Sequence, residues 1–223
     1  MVTPDVDGSN NVTWVNIGAD VKVVNMVADQ PYHHGALREA LLEAGRELLA
    51  ERGAHAFSLS EIARRVGVST AAPYRHFADR DALIDTLADE GYIKFHDVLR
   101  EAVAGATDPA DAITRIGVGY LRFAVEHPAV FTIMFRDRQG PPSDYGPPSF
   151  QTFLEAVETA QRSGVLSDRL PAPVTSRSIW AALHGAATLD AVGGFAKLGL
   201  GAPLEELVET LLDPYWTRPR PHG

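Results

Sequence analysis

Side chains that can contact DNA are concentrated between residues 58 and 80 of the sequence. An arginine can pair bidentately with guanine, and the methyl groups of threonine and alanine can contact the methyl group of thymine. Hydroxyl, imidazole and guanidinium groups can also bind phosphates, which orient a protein on DNA without reading the base sequence. The candidate base contacts are Thr70, Ala71 and Arg75, the candidate phosphate contacts are Ser58, Tyr74, His76 and Arg80, and Ser69 at the predicted start of the segment completes the set.

The spacing of small and apolar residues around these side chains is typical of a helix-turn-helix, in which two short helices cross. Ser58 stands three residues before Glu61, a capping-box pattern that predicts a helix over residues 59–66. Gly67 follows that helix and can adopt the positive φ of a tight turn. In such a unit the second helix, here predicted over residues 70–77, lies in the major groove of DNA.

The rest of the chain also follows a helical period, and no alternating apolar pattern competes with it, so the predicted fold class is all-α. A long helix is expected to begin at Arg80. The other predicted helices cover residues 35–52, 109–126, 128–135, 150–162, 175–190 and 203–215, with a loop over residues 139–149. Residues 1–31 have no sustained period and are expected to form a flexible extension, within which Met26 offers a second candidate start.

The segment that begins at Gly53 resembles the N-terminal signature of the TetR-type transcriptional regulators. That signature combines Phe-Ser/Thr-x-x-x-Ile-Ala, Gly-Val-Ser and Leu-Tyr-x-His-Phe with a following basic residue and an apolar helix. Its parts appear here at residues 57–63, 67–69 and 74–77, at Arg80, and at Leu83 and Ile84. One position departs from the pattern, because Pro73 replaces the usual leucine. A proline there removes a backbone N–H and crowds the carbonyl of Ser69, so the recognition helix is expected to start slightly displaced.

The C-terminal part resembles a TetR subfamily whose effector domain is marked by a Trp followed by His-Gly (WHG-type), here Trp180, His184 and Gly185. Trp180 and His184 stand four residues apart and therefore share one face of a helix. One interpretation is that they line an effector pocket, and the candidate lining residues are Phe123, Phe131, Met134, Phe135, Trp180 and His184. The alternative is that Trp180 packs in the core while His184 hydrogen-bonds a neighbouring helix.

The resemblance implies an N-terminal three-helix helix-turn-helix DNA-binding domain, residues 32–79. A long helix would join it to a C-terminal helical domain, residues 80–223, for effector binding and dimerisation. In the family, the two C-terminal helices pack against their twofold mates. A homodimer would present two recognition helices to a palindromic operator in double-stranded DNA, about one helical turn apart. A small-molecule effector, unknown from the sequence, would release such a repressor by favouring another spacing of those helices.

Length and composition exclude several other classes of protein. The 223 residues include no cysteine, which excludes disulfide frameworks, Cys-ligated zinc and thiol nucleophiles. His33 and His34 are adjacent and no H-E-x-x-H or phosphate-binding glycine loop occurs, so no metal, cofactor or enzymatic activity is predicted. No run of about 18 apolar residues occurs, so no membrane partner is expected and the predicted location is cytoplasmic.

The net charge of −9 argues against a protein coated with positive charge for DNA binding. Residues 32–77, however, hold six arginines and five glutamates, so the acidic excess lies outside the predicted DNA-binding segment. Two alternatives remain open. Helix pairs with a glycine turn also occur in proteins that do not bind DNA, where Arg75 and Arg80 would be solvated and Tyr74 would be a core aromatic. The chain could also be an all-α small-molecule binding protein that has lost operator binding.

Overall fold

The computed structural model describes residues 32–53, 57–138 and 140–217, and these residues form an all-α fold, as predicted. They include nine α-helices and two short 3-10 helices. The α-helices are α1 Tyr32–Arg52, α2 Leu59–Val66, α3 Arg80–Ala104, α4 Pro109–Glu126, α5 Pro128–Met134, α6 Gly146–Arg162, α7 Ala172–Ala191, α8 Gly194–Lys197 and α9 Leu204–Leu212. The 3-10 helices are Pro73–Arg75 and Asp213–Tyr215.

The chain divides into two compact units, Met1–Glu39 and Ala40–Gly223. Only residues 32–39, the first turns of α1, are described in the first unit. The predicted extension, residues 1–31 with the candidate start Met26, lies outside the described residues, as do the side chains of His33 and His34. All contacts described below lie within the second unit.

Helix α2 begins after Ser58 and ends before Gly67, as the capping residues predicted. The Oγ of Ser58 accepts a hydrogen bond from the backbone N–H of Glu61 at 3.2 Å, which satisfies one of the free donors of the first turn. Gly67 ends the helix with φ of 79°, a conformation in which a Cβ would be strained. The N–H of Val68 then donates to the carbonyl of Ala63 at 2.9 Å, which closes the turn.

The segment over residues 70–77, predicted as a helix, contains turns and the 3-10 helix Pro73–Arg75 instead of an α-helix. Pro73 has no N–H to donate to the carbonyl of Ser69, so that carbonyl accepts from Ala72 at 3.0 Å, one residue earlier than in an α-helix. The N–H of His76 likewise bonds three residues back, to the carbonyl of Pro73 at 2.9 Å. A 3-10 helix therefore stands where an α-helix was predicted.

Fully buried side chains of α1, α2 and α3 hold this region together: Leu41, Leu48, Ile62 and Leu83. A second core lies among α3, α4, α6, α7 and α9 and includes Ile116, Val157, Ile179, Leu183 and Val208. Helices α4 and α9 approach closely at Gly117, where an added Cβ would lie 2.7 Å from a methyl carbon of Val208. Helices α3, α4, α6 and α7 also line the cavity described below.

Several helices of the C-terminal part differ from the predictions. Helix α6 starts at Gly146, inside the predicted loop, because Pro147 and Pro148 suit a first turn in which their missing N–H groups cost little. Helix α8 was not predicted, and the final helical segment is shorter, since α9 gives way to the 3-10 helix Asp213–Tyr215. Within the described part of the chain, no helix combines the length and apolarity needed to cross a bilayer.

Candidate functional site

The candidate DNA contacts lie on or next to the exposed 3-10 helix Pro73–Arg75 and at the start of α2. Tyr74 is 56% exposed, so its ring does not belong to the core. Pro73 and Phe77 are buried and anchor the segment on either side of it. The exposed candidates are Ser58, Ser69, Thr70, Ala71, Tyr74 and Arg75, and the half-buried ones are His76 and Arg80.

The arginines of this region differ in how freely their charge is available. Arg65 donates to both carboxylate oxygens of Glu51, each at 2.9 Å, and these hydrogen bonds lower the pKa of Glu51. Arg75 and Arg64 are exposed and have no ion-pair partner among the described residues. Their charges are therefore the ones most readily offered to an anionic partner.

Arg80, the first residue of α3, is engaged within the protein. Its Nε and Nη2 atoms donate to Oδ1 of Asp81 at 3.3 and 2.8 Å. A phosphate at this position would have to compete with that carboxylate, although an ion pair between half-exposed groups is weak.

A cavity of about 460 Å³ lies among α3, α4, α6 and α7. Its wall is mainly aromatic and aliphatic. The lining residues are Tyr92, Phe95 and Leu99 of α3, Ile116 and Tyr120 of α4, Phe135, residues 146, 147, 149, 150 and 153 of α6, and Pro173, Arg177, Trp180 and Leu183 of α7. A volume of this size is within the range of ordinary small-molecule sites, roughly 300–1,000 Å³.

The six candidate effector-binding residues are brought together, but only Phe135 and Trp180 line the cavity. His184 lies behind them, with its ring 4.6 Å from that of Phe135 and 5.4 Å from that of Phe131 between centroids. Phe131 is buried in the core cluster, together with Phe123 and Met134.

A hydrogen-bonded group of three side chains links α7 to α4 at the back of the cavity. Nε1 of Trp180 donates to the hydroxyl oxygen of Tyr120 at 3.2 Å, and that hydroxyl lies 2.9 Å from Nδ1 of His184. Burial raises the pKa of Tyr120 and lowers the pKa of His184, so both groups are held neutral. With Trp180 as a donor, the Tyr120 hydroxyl can donate its own proton to Nδ1 of His184. Trp180 thus lines the cavity while His184 bonds a neighbouring helix, which combines both interpretations of the sequence.

Two polar residues of the wall are not among those predicted from the sequence. Arg177 stands one turn before Trp180 on α7, and this spacing is the signal that could have indicated it. Ser149 of α6 is only 3% exposed, and its hydroxyl has no hydrogen-bond partner in the described part of the chain. No sequence signal marks Ser149, because it is the last residue of the stretch predicted as a loop.

An ion-pair cluster, formed by Asp85 and Asp89 of α3 with Arg136 and Arg138, ties the segment after α5 to α3. Arg136 pairs with Asp85, and Nη1 of Arg138 donates to Oδ1 of Asp89 at 2.6 Å. Ser143 donates to the same oxygen of Asp89 at 2.7 Å. The segment held in this way leads directly to Gly146, which lines the cavity.

Two family models match the chain. The model described as "Bacterial regulatory proteins, tetR family" matches residues 41–87, and the one described as "Tetracyclin repressor-like, C-terminal domain" matches residues 113–215. Within the second range lie Trp180, His184 and Gly185.

Solved structures with a similar fold agree with the matches to the family models. A protein of unknown function from Rhodococcus sp. RHA1 is 33% identical, with 84% of this chain and 97% of that one covered and a TM-score of 0.71. A TetR-family transcriptional regulator from Pectobacterium atrosepticum is 23% identical over 86% of this chain and 100% of that one, with a TM-score of 0.66. A complex of SmeT with triclosan is 18% identical over 82% and 92% of the two chains, with a TM-score of 0.58. As the N-terminal resemblance predicted, the chain belongs to the TetR family of DNA-binding transcriptional regulators.

Proposed function

We propose that this regulator is a homodimeric repressor that leaves a palindromic operator when a small molecule occupies the cavity. The observation that carries the proposal is the course of α3. The helix begins at Arg80, beside the exposed 3-10 helix, and lines the cavity with Tyr92, Phe95 and Leu99. From Arg80 to Tyr92 the helix spans about 18 Å at 1.5 Å per residue. One helix therefore joins a DNA-binding domain of residues 32–79 to an effector domain of residues 80–223.

On the DNA side, the proposed roles follow from exposure and charge. Arg75 is exposed and without an ion-pair partner among the described residues, which suits a bidentate contact with guanine. The exposed Thr70 and Ala71 offer methyl groups to thymine. The proposed phosphate contacts are Ser58, Ser69, Tyr74, His76 and Arg80, the last after release from Asp81.

On the effector side, the aromatic wall suits a largely apolar, flat molecule. Phe135 and Trp180 would contact it directly, with ring centroids 6.3 Å apart. Phe123, Phe131, Met134 and His184 would support that wall from behind. The SmeT structure, which holds triclosan, shows that a protein of this fold can bind a small molecule.

Coupling between the two sites would pass through the ion-pair cluster on α3. The segment after α5 is bound to Asp85 and Asp89 at one end and supplies the cavity wall at Gly146 at the other. A ligand that shifts this wall therefore changes the free energy of the contacts with α3. If the ligand binds the released conformation more tightly than the operator-bound conformation, it lowers operator affinity by the ratio of those two affinities. Operator DNA then lowers ligand affinity by the same factor.

A homodimer is supported by exposed apolar side chains near the C-terminal end of α7 and around α8. These are Leu189, Val192, Leu198 and Leu200, each at least half exposed. Clustered apolar residues on a surface mark interaction sites, and a twofold interface would use the same patch on both protomers. The proposed contacts also include α9, whose Leu204 and Leu207 are only partly covered.

Footprinting on the DNA upstream of the protein's own gene tests the proposal. We expect the purified protein to be a dimer by light scattering and to protect an inverted repeat whose half-sites lie about one helical turn apart. It should act in the cytoplasm, where that DNA lies. A monomer, or a protein without sequence-selective protection, would contradict the proposal.

A second candidate function is an all-α small-molecule binding protein that has lost operator binding, and the 3-10 helix at Pro73 favours it. The variant Pro73→Leu restores the residue usual in the family and the backbone N–H at this position. If the repressor proposal is right, the unchanged chain already binds its operator. Operator binding by the Pro73→Leu variant, but not by the unchanged chain, would support the second candidate instead.

A further inference from the structure

We propose that the cavity selects an effector that carries a carboxylate on an aromatic body, and that Arg177 is the residue that recognises the charge. The inference rests on the proposed effector role of the cavity and names the class of molecule that it takes.

The charge of the wall is the first observation. Arg177 is the charged residue of the described lining, and no aspartate or glutamate stands there. Its guanidinium is exposed and has no ion-pair partner among the described residues. A guanidinium offers its N–H donors in a planar fork that matches a carboxylate, so an unpaired arginine beside an apolar cavity favours an anionic group over a neutral one.

The second observation is the buried hydroxyl of Ser149. This side chain is 3% exposed and lines the cavity, yet its Oγ has no hydrogen-bond partner among the described residues. A buried polar group without a partner costs free energy. A ligand that accepts a hydrogen bond from the Ser149 hydroxyl recovers that cost.

The position of Ser149 adds to this preference. It lies in the first turn of α6, whose Gly146 and Pro147 also line the cavity. The N-terminus of a helix is the positive end of its dipole. Pro147 and Pro148 lack an N–H group, so the Ser149 hydroxyl is a donor available at this end. An acceptor or anion is therefore favoured here as well.

The two tyrosine hydroxyls of the wall are already used within the protein. Tyr92 donates to the carbonyl of Met134, and Tyr120 accepts from Trp180 and bonds His184. What Tyr120 and its neighbours offer is aromatic surface: the rings of Phe95 and Tyr120 lie 5.2 Å apart, and those of Phe150 and Trp180 5.8 Å apart. Polar recognition thus falls to Arg177 and Ser149, and the rings hold the body of the ligand.

Isothermal titration calorimetry with 2-naphthoate and with its neutral counterpart 2-naphthamide tests the inference on the full chain. We expect 2-naphthoate to bind about tenfold more tightly than the amide, a difference of about 1.4 kcal/mol. Arg177→Gln should abolish that preference, whereas Arg177→Lys should keep part of it. Ser149→Ala should weaken both probes. The matched control is Arg169→Gln, which removes an exposed arginine outside the lining and should change nothing.

Equal affinity for the two probes, a preference that survives Arg177→Gln, or no binding of either probe would each overturn the inference. Thermal melts of every variant verify that the fold is retained. Operator binding by the probe-free protein is measured in parallel and tests the repressor proposal separately. A protein that binds operator but shows no charge preference refutes only the effector class, whereas a charge preference without operator binding refutes the repressor.

Discussion

At the residue scale, Arg75 is the side chain whose removal should most affect operator binding. Arg75→Ala should reduce operator affinity because a bidentate contact with guanine is worth about 1–3 kcal/mol. Fluorescence anisotropy with a labelled operator duplex measures the loss. Arg169→Ala, which removes an exposed arginine of the C-terminal part, is the control and should bind normally. Unchanged affinity of Arg75→Ala would refute the base contact.

Tyr74 supplies a milder test at the same scale. The ring is 56% exposed, so Tyr74→Phe should leave the melting temperature unchanged. Loss of one hydroxyl contact to a phosphate should reduce operator affinity by about 0.5–1.5 kcal/mol. The same reduction should appear with unrelated duplexes, because phosphate contacts carry no base information. A loss confined to the operator sequence would instead assign Tyr74 to base recognition.

His184 should make stability depend on pH. Burial lowers its pKa in the folded protein below the unfolded value, about 6.5. The unfolded state therefore binds more protons below that pH, and stability falls as the pH decreases from about 7 toward the folded pKa. The melting temperature should drop less between pH 7.5 and 5.5 in His184→Gln than in the unchanged protein. Equal drops would show that another group causes the pH dependence.

At this scale the sequence indicates exposure only for side chains whose setting is local. Exposure of Tyr74 and Arg75 follows from their place between Pro73 and the start of α3. The cavity wall is different, because α3, α4, α6 and α7 contribute to it and no local pattern shows which faces meet. Trp180 was indicated by the resemblance to the subfamily marked by Trp and His-Gly, whereas Ser149 carried no such signal.

At the element scale, helix ends were predictable where a cap determines them. Ser58 and Gly67 bound α2 at the predicted residues because each acts through backbone bonds of its own turn. The recognition segment shows the limit of this approach. Pro73 predicted a displaced start, but whether the backbone then forms an α-helix or a 3-10 helix depends on how Pro73 and Phe77 pack, which the sequence does not show.

A second point at the element scale is a prediction about the contact between α3 and the segment after α5. Asp89→Asn should lower the free energy of unfolding by about 2 kcal/mol, because it leaves the largely buried guanidinium of Arg138 without its main partner. It should also reduce the effect of a cavity ligand on operator binding. Denaturant melts and operator titrations with 2-naphthoate measure the two effects.

The matched control lies on the same helix. Asp97 pairs with Arg100 at 3.8 Å, and both side chains are more than half exposed. Asp97→Asn should therefore change stability by less than about 0.5 kcal/mol and leave the ligand response intact. If Asp89→Asn and Asp97→Asn behave alike, burial of the ion-pair cluster does not account for its contribution to stability and to the ligand response.

At the scale of the whole molecule, the distribution of charge is more informative than its sum. The net charge is −9, yet residues 32–77 carry one arginine more than their glutamates. Part of that positive charge is also consumed internally, as in the bonds between Arg65 and Glu51. An acidic effector domain repels DNA that meets it in the wrong orientation, so operator binding should depend on a few well-placed contacts.

The salt dependence of operator binding measures how few those contacts are. Arg64 and a released Arg80 would give about four phosphate contacts in a dimer, and the slope of log K against log salt should be roughly −4. Anisotropy titrations between 50 and 200 mM KCl provide the slope, with Arg64→Ala expected to make it shallower. A slope near −10 in the unchanged protein would mean that the DNA contacts a much wider basic surface, in which case Arg65 and its partners would have to separate on binding.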